Sequence, residues 1–221
     1  MPQIDKNTIE FLKALSNNNN KEWFDKNRAQ YIAAKNNFET FVQELIHEIT
    51  EFEPILKGLE AKSCIYRINR DIRFSNDKTP YKTNLGALIM KGGRKNFCRY
   101  PGYYLHIEPN NCFLAGGAYM PPPDWLTAIR EKISEQPDEF LRIINAVELK
   151  KYFSELQGEK LKKAPKGFDP AHKQIELLKY KNYYVSKQVS DKQIIESGYL
   201  KYVLNIFKTV KPFHDFLDFD E

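Results

Sequence analysis

Apolar residues recur at helical spacing near both ends of the chain and at strand spacing through its middle. Residues 7–16 carry Ile9, Phe11, Leu12 and Leu15 on one face, with Asn7 or Thr8 as cap, and predict a short amphipathic helix. Ser16 and the run Asn17–Asn20 form a polar turn. A second helical stretch starts at Lys21, steps through Trp23, Asn27, Tyr31, Ala34 and Phe38, continues through Phe41, Val42, Leu45, Ile46 and Ile49, and ends by Pro54. Cys64–Ile68 is β-branched and aromatic, as a strand would be, and Leu85–Met90 is a second strand closed by Gly92-Gly93. Tyr103–Glu108 alternates, pauses at Pro109-Asn110-Asn111 and resumes at Cys112–Ala115, which reads as a hairpin. Gly116-Gly117 after it marks a close approach of backbone or ligand.

Helices dominate again beyond that point. Pro121-Pro122-Pro123-Asp124 introduces one carrying Trp125, Leu126, Ile129 and Ile133. Others are expected over 137–146, 148–156, 171–179, 190–196 and 199–217, the last broken at Pro212. Tyr183-Tyr184-Val185 reads as an added strand. Strands mainly within 62–119, with helices before and after, predict an α+β fold: an antiparallel sheet flanked by N-terminal and C-terminal helices. The length, 221 residues, suits a single domain over 1–221.

Between the strand candidates at 64–68 and 85–90 lies the densest chemistry in the chain. Residues 67–84 hold Arg67, Arg70, Arg73, Lys78 and Lys82 with Asp71, Asp77 and Tyr81. A connection this long is usually functional or disordered. Phe74, Pro80 and Tyr81 give it apolar matter to pack with, so the expectation is an ordered, charged loop. A helical turn starting near Asp71 would bring Arg70 and Arg73 to one side. Guanidinium forks match carboxylate and phosphate oxygens in pairs, and an ammonium adds a compact charge. Arg67, Arg70, Arg73, Lys78 and Lys82 are therefore the candidate anion-binding residues. Asp71, given a raised pKa, and Tyr81 are the candidate catalytic residues for handling a proton. The bland alternative is an Arg–Asp network that stiffens the loop.

The pattern Arg67-x-x-Arg70-Asp71-x-Arg73-Phe74-x-x-x-Lys78-x-x-Tyr81 resembles the signature of the DUF2461 family of mostly bacterial proteins. Lys21-Glu22-Trp23-Phe24, Gly116-Gly117 before the proline run, and Pro165-Lys166-Gly167-Phe168 extend the resemblance along nearly the whole chain. The resemblance supports the location of the site and implies no particular reaction.

Composition narrows the classes. Fifteen Phe and thirteen Tyr fit a globular protein. No apolar run approaches the roughly 20 residues that span a bilayer, and no signal-peptide core opens the chain, so no membrane association is expected. Cys64, Cys98 and Cys112 form no CxxC pair, which argues against a disulfide framework and for a reduced, cytoplasmic setting. His47, His106, His172 and His214 are scattered without HExxH, and no metal site is expected. His106-x-Glu108 lacks the PCxxC of zinc deaminases. Asn69-Arg70-Asp71 with Asn76 imitates a kinase catalytic loop without its companions, and Ser75-x-x-Lys78 lacks the partners of a serine nucleophile. With no Walker A and no GxGxxG, the sequence names no cofactor.

The net charge of +5 is unevenly spread. Residues 61–100 carry ten cations against two carboxylates and residues 160–187 eight lysines against two, which leaves the remainder acidic. Three functions fit. The first is an enzyme or binding protein for a phosphorylated or otherwise anionic small molecule at the 67–84 loop. The second is a nucleic-acid-binding protein using both basic segments, with Tyr103, Tyr104 or Tyr183 exposed for stacking. The third is a non-catalytic interaction module with a structural Arg/Asp loop. The mixture of cations, carboxylates and Tyr favours the first.

Overall fold

The computed structural model describes residues 2–219. Helices α1 (Lys6–Asn17), α2 (Lys21–Lys26), α3 (Arg28–Ile49) and α4 (Ala61–Cys64) precede strands β1 (Leu85–Ile89), β2 (Gly102–Ile107) and β3 (Cys112–Ala118). Helices α5 (Pro123–Glu135), α6 (Pro137–Ile144), α7 (Val147–Lys150) and α8 (Ile175–Leu178) follow, then β4 (Tyr183–Val189), α9 (Asp191–Ile194) and α10 (Tyr199–Leu217). The four strands pair antiparallel in the order β1-β2-β3-β4. The expected α+β fold is present, with helices at both ends of the chain.

Each strand alternates between two faces, as its pleat requires. Leu85, Ala87 and Ile89 of β1, Tyr103, Leu105 and Ile107 of β2, and Leu114 of β3 point one way and are buried. They meet Phe38, Phe41 and Leu45 of α3 and Val203, Phe207, Val210 and Phe213 of α10 in one contiguous core. Removing such side chains from water contributes about 1.5–3 kcal/mol each. Gly116 lets α10 lie against β3, because a Cβ there would come within 2.6 Å of Val210 Cγ1. The opposite face presents Gly86, Leu88, Tyr104, His106, Phe113, Ala115 and Tyr184.

Four local expectations are corrected. The helical stretch from Lys21 is two helices, because the Asn27 side chain donates to the Trp23 carbonyl at 2.8 Å and competes with the helical ladder. Cys64 ends α4, and residues 65–70 only bridge their neighbours: Ile65 with Ala87, Asn69 with Tyr81. Pro212 does not break α10; it sits on the exposed side, while Phe213, Phe216 and Leu217 hold the helix to the core. The helices expected over 148–156 and 171–179 are single turns, α7 and α8.

The polar run 17–20 has structural work. Asn20 caps α2 by accepting from the Trp23 N–H at 3.0 Å. Asn19 donates to the Tyr81 carbonyl at 2.8 Å and accepts the Tyr81 N–H at 3.1 Å, which ties the charged loop to the N-terminal helices. No helix among the described residues is long and apolar enough to cross a membrane.

Candidate functional site

The charged loop is pinched at its base. Arg70 N–H donates to the Pro80 carbonyl at 2.9 Å and Lys82 N–H to the Ile68 carbonyl at 2.8 Å, so residues 71–79 form a smaller lobe. Inside it Arg70 pairs with Asp77 and donates to Thr79 Oγ1 at 2.5 Å. Arg73 chelates Asp71 through Nε at 2.9 Å and Nη2 at 2.6 Å. The two arginines have separate partners, and no helical turn aligns them. Lys78 Nζ donates to the Ile72 carbonyl at 3.0 Å. The hydrogen bond from Arg73 holds the Asp71 carboxyl below its usual range, opposite to the shift a general base needs. Thr79 N–H and Arg70 hold Asp77 down at about 2. Phe74, expected to pack, is 96% exposed. Tyr81 is buried with its ring stacked 3.9 Å from that of Phe24, away from the charged groups.

The other end of the loop meets a cavity. About 500 Å³ of space lies on the open face of the sheet, walled by Tyr66, Phe97, Tyr104, Phe113, Tyr119 and Tyr184, with Lys82, Asn84 and His106 as its polar groups. Lys82 Nζ lies 5.2 Å from the centroid of the Tyr66 ring, and the Arg94 guanidinium carbon lies 6.0 Å from the same centroid. Burial lowers the Lys82 pKa, and the positive charges of Arg67 and Arg94 lower it further. Arg67 is partly offset by Asp71, whose carboxyl its charge helps to hold down. Arg94 is anchored through Nε to the Ile65 carbonyl at 2.9 Å.

On the cavity floor, alternate residues of β2 and the turn beyond it form a hydrogen-bonded chain. Tyr104 Oη lies 3.0 Å from His106 Nδ1, and Asn84 Nδ2 lies 3.4 Å from the same nitrogen. His106 Nε2 lies 3.3 Å from Glu108 Oε2. Thr83 Oγ1 donates to Glu108 Oε1 at 2.6 Å and Asn111 Nδ2 to Oε2 at 2.8 Å. An ionised carboxylate only accepts, so the network assigns the imidazole proton to Nε2 and leaves Nδ1 to accept. Burial lowers the His106 pKa against the pull of Glu108, which keeps the ring neutral. Burial opposes ionisation of Glu108, but bonds from Thr83, Asn111 and His106 together outweigh it and hold the carboxyl below its usual value. Burial raises the Tyr104 phenol. Phe113 stacks on the imidazole at 4.5 Å and fixes its plane.

The site is thus divided relative to the sequence expectation. Lys82 lines the cavity and Arg67 acts on it; Arg70, Arg73, Lys78 and Asp71 are engaged within the lobe. Arg94, Tyr104, His106 and Glu108 were not expected to join it. The available signal was Tyr104, His106 and Glu108 at i, i+2 and i+4, which strand alternation places on one face. Tyr103 and Tyr183, expected to be exposed for stacking, point into the core and are 1% and 0% exposed. Among the lysines of 160–187, Lys160 and Lys179 pair with Glu176 and Lys181 with Glu159. A wider hollow of about 650 Å³ between α5 and the end of α10 is lined by Glu131, Glu135, Asp215 and Asp218 and is unsuited to an anion.

No curated protein and no solved structure matches the chain. A profile of conserved hypothetical proteins, DUF2461, matches residues 7–216, a span that takes in nearly all of the core, the charged loop and the cavity; the chain belongs to the DUF2461 family.

Proposed function

We propose that the protein binds a small anionic molecule, phosphorylated by preference and carrying a flat apolar group, in the cavity at the Lys82 end of the 67–84 loop. One observation carries this reading. Burial, together with the charges of Arg67 and Arg94, lowers the pKa of Lys82 in the cavity wall, so an anion arriving there would favour its charged form. Three cations suit the oxygens of a phosphate, and the six aromatic walls suit a ring or other planar group. In this reading Arg67 and Lys82 grip the anion and Arg94 joins them. Arg70, Arg73 and Lys78 hold the lobe in shape, with Asp71 as the counter-charge of Arg73 and Tyr81 as an anchor on Phe24.

Calorimetric titration with phenyl phosphate, inorganic phosphate and a short single-stranded oligonucleotide, each at two salt concentrations, tests it. Phenyl phosphate is expected to bind best. Lys82→Met is expected to weaken it by about 10- to 100-fold, the worth of one charge-assisted contact. Failure of phenyl phosphate to bind overturns the proposal. Binding of the oligonucleotide alone, lost at the higher salt, would move the reading to nucleic acid.

A further inference from the structure

Anion binding does not by itself require the chain of hydrogen bonds on the cavity floor. Glu108 has its oxygens engaged by Thr83, Asn111 and the His106 ring, so it orients the imidazole rather than facing a ligand. The imidazole in turn presents an unprotonated Nδ1 to the Tyr104 hydroxyl at 3.0 Å. Space for that hydroxyl is made by Gly86, the β1 residue opposite His106. A Cβ on Gly86 would lie 2.7 Å from Tyr104 Oη, although Gly86 has an ordinary strand conformation. A nucleophile within reach of a base, and a base oriented by a third group, is the arrangement that activates a hydroxyl.

We propose that Tyr104 is a nucleophile, His106 its general base and Glu108 the residue that positions His106, in phosphoryl transfer from a phosphate monoester to water. This rests on the anion site proposed above, whose cations would hold the phosphate. Tyr104 Oη bonds to phosphorus as the bond to the departing alcohol oxygen breaks. The phenol proton moves to His106 Nδ1, and the departing oxygen, on the far side of the phosphorus, takes a proton from water in the open cavity. Water next attacks the phosphorus from that far side and releases a proton to solvent; the Tyr104–phosphorus bond breaks and Tyr104 recovers its proton from His106 Nδ1. Burial keeps the phenol protonated, so it reacts only as its proton leaves to the base.

The test uses 4-(fluorosulfonyl)benzoate on the full chain. Its carboxylate suits the cations and its ring suits the aromatic walls. Attack by Tyr104 forms an O–S bond, expels fluoride and passes the proton to His106. Peptide mass spectrometry is expected to place a single adduct on Tyr104, absent in Tyr104→Phe. His106→Gln is expected to label about 100-fold more slowly, the usual worth of a general base. Gly86→Ala, which displaces the hydroxyl and leaves the imidazole in place, should slow labelling in the same way if His106→Gln does not fold. Glu108→Gln should slow labelling while leaving the affinity for 4-sulfobenzoate, which has no leaving group, unchanged. An adduct on Lys82, Tyr66, Tyr119 or Tyr184 instead, or an unchanged rate in His106→Gln, overturns the inference. Binding of 4-sulfobenzoate without labelling of Tyr104 overturns it and leaves the anion site standing; absence of both overturns both.

Discussion

Two histidines show how environment decides the role of a side chain. His106 has partners on both ring nitrogens, whereas His214 of α10 is packed 4.3 Å from the Tyr103 ring with its Nε2 buried and unpartnered. Burial, with a smaller push from the Lys211 charge, drives the His214 pKa down from 6.5 to about 3. Its folded pKa lies below the unfolded value, so the unfolded chain binds the proton first. The stability it permits is complete above about pH 6.5 and is lost as the pH falls toward 3. The loss runs at about 1.4 kcal/mol per pH unit. His106, also depressed by burial, acts in the same direction. His214→Leu should flatten the slope of stability against pH, between about pH 6 and pH 4, by about 1.4 kcal/mol per unit in urea denaturation. Equal slopes would mean that His214 is already reached by protons in the fold. The placing of His106 between Tyr104 and Glu108 on one strand face is legible in the sequence; the burial of His214, which stands next to Asp215, is not.

Among the elements, β3 carries the tightest geometry. Gly116 and Gly117 read in the sequence as a place of close approach, and both are. Gly116 faces α10, while Gly117 has a φ of +131° and would place a Cβ 2.2 Å from the Tyr183 carbonyl oxygen and 2.7 Å from Tyr184 Cα. Neither neighbour is a flexible side chain that can swing away. Gly117→Ala should therefore destabilise the fold by about 3 kcal/mol and loosen β3 from β4, read as a lower urea midpoint. An unshifted midpoint would show that β4 can move aside. The pair announces itself because glycine beside glycine in a strand has few other reasons to exist. What approaches it came from residues 183 and 210, far along the chain. The strand expected at 64–68 fails for the same reason: its β-branched composition suits extended backbone from Ile65, but strand pairing depends on a partner, and β1 offers it a single isolated bridge, Ile65 to Ala87.

For the whole molecule the question is how charge is distributed once the chain has folded. The lobe 71–79 balances itself through Arg70–Asp77 and Arg73–Asp71, and it touches the core mainly through its pinched base. Arg70→Ala is expected to open the lobe locally: trypsin should cut after Arg73 or Lys78 several-fold faster, with little change in the global unfolding midpoint. A large drop in that midpoint would instead make the lobe part of the core. Phenyl phosphate binding in this variant should fall less than in Lys82→Met.

The periodic features are written in the chain itself. Helical repeats at both ends, alternation in the hairpin and the position of the charged loop are properties of neighbouring residues and their backbone angles. Which charges are paired and which are not is settled only once the chain has folded. That depends on separations of a few ångströms between segments far apart in the chain: Asn19 against Tyr81, Arg94 beside Tyr66, Thr83 on Glu108. Coulomb and hydrogen-bond energies fall off over such distances, and no local pattern of residue types encodes them.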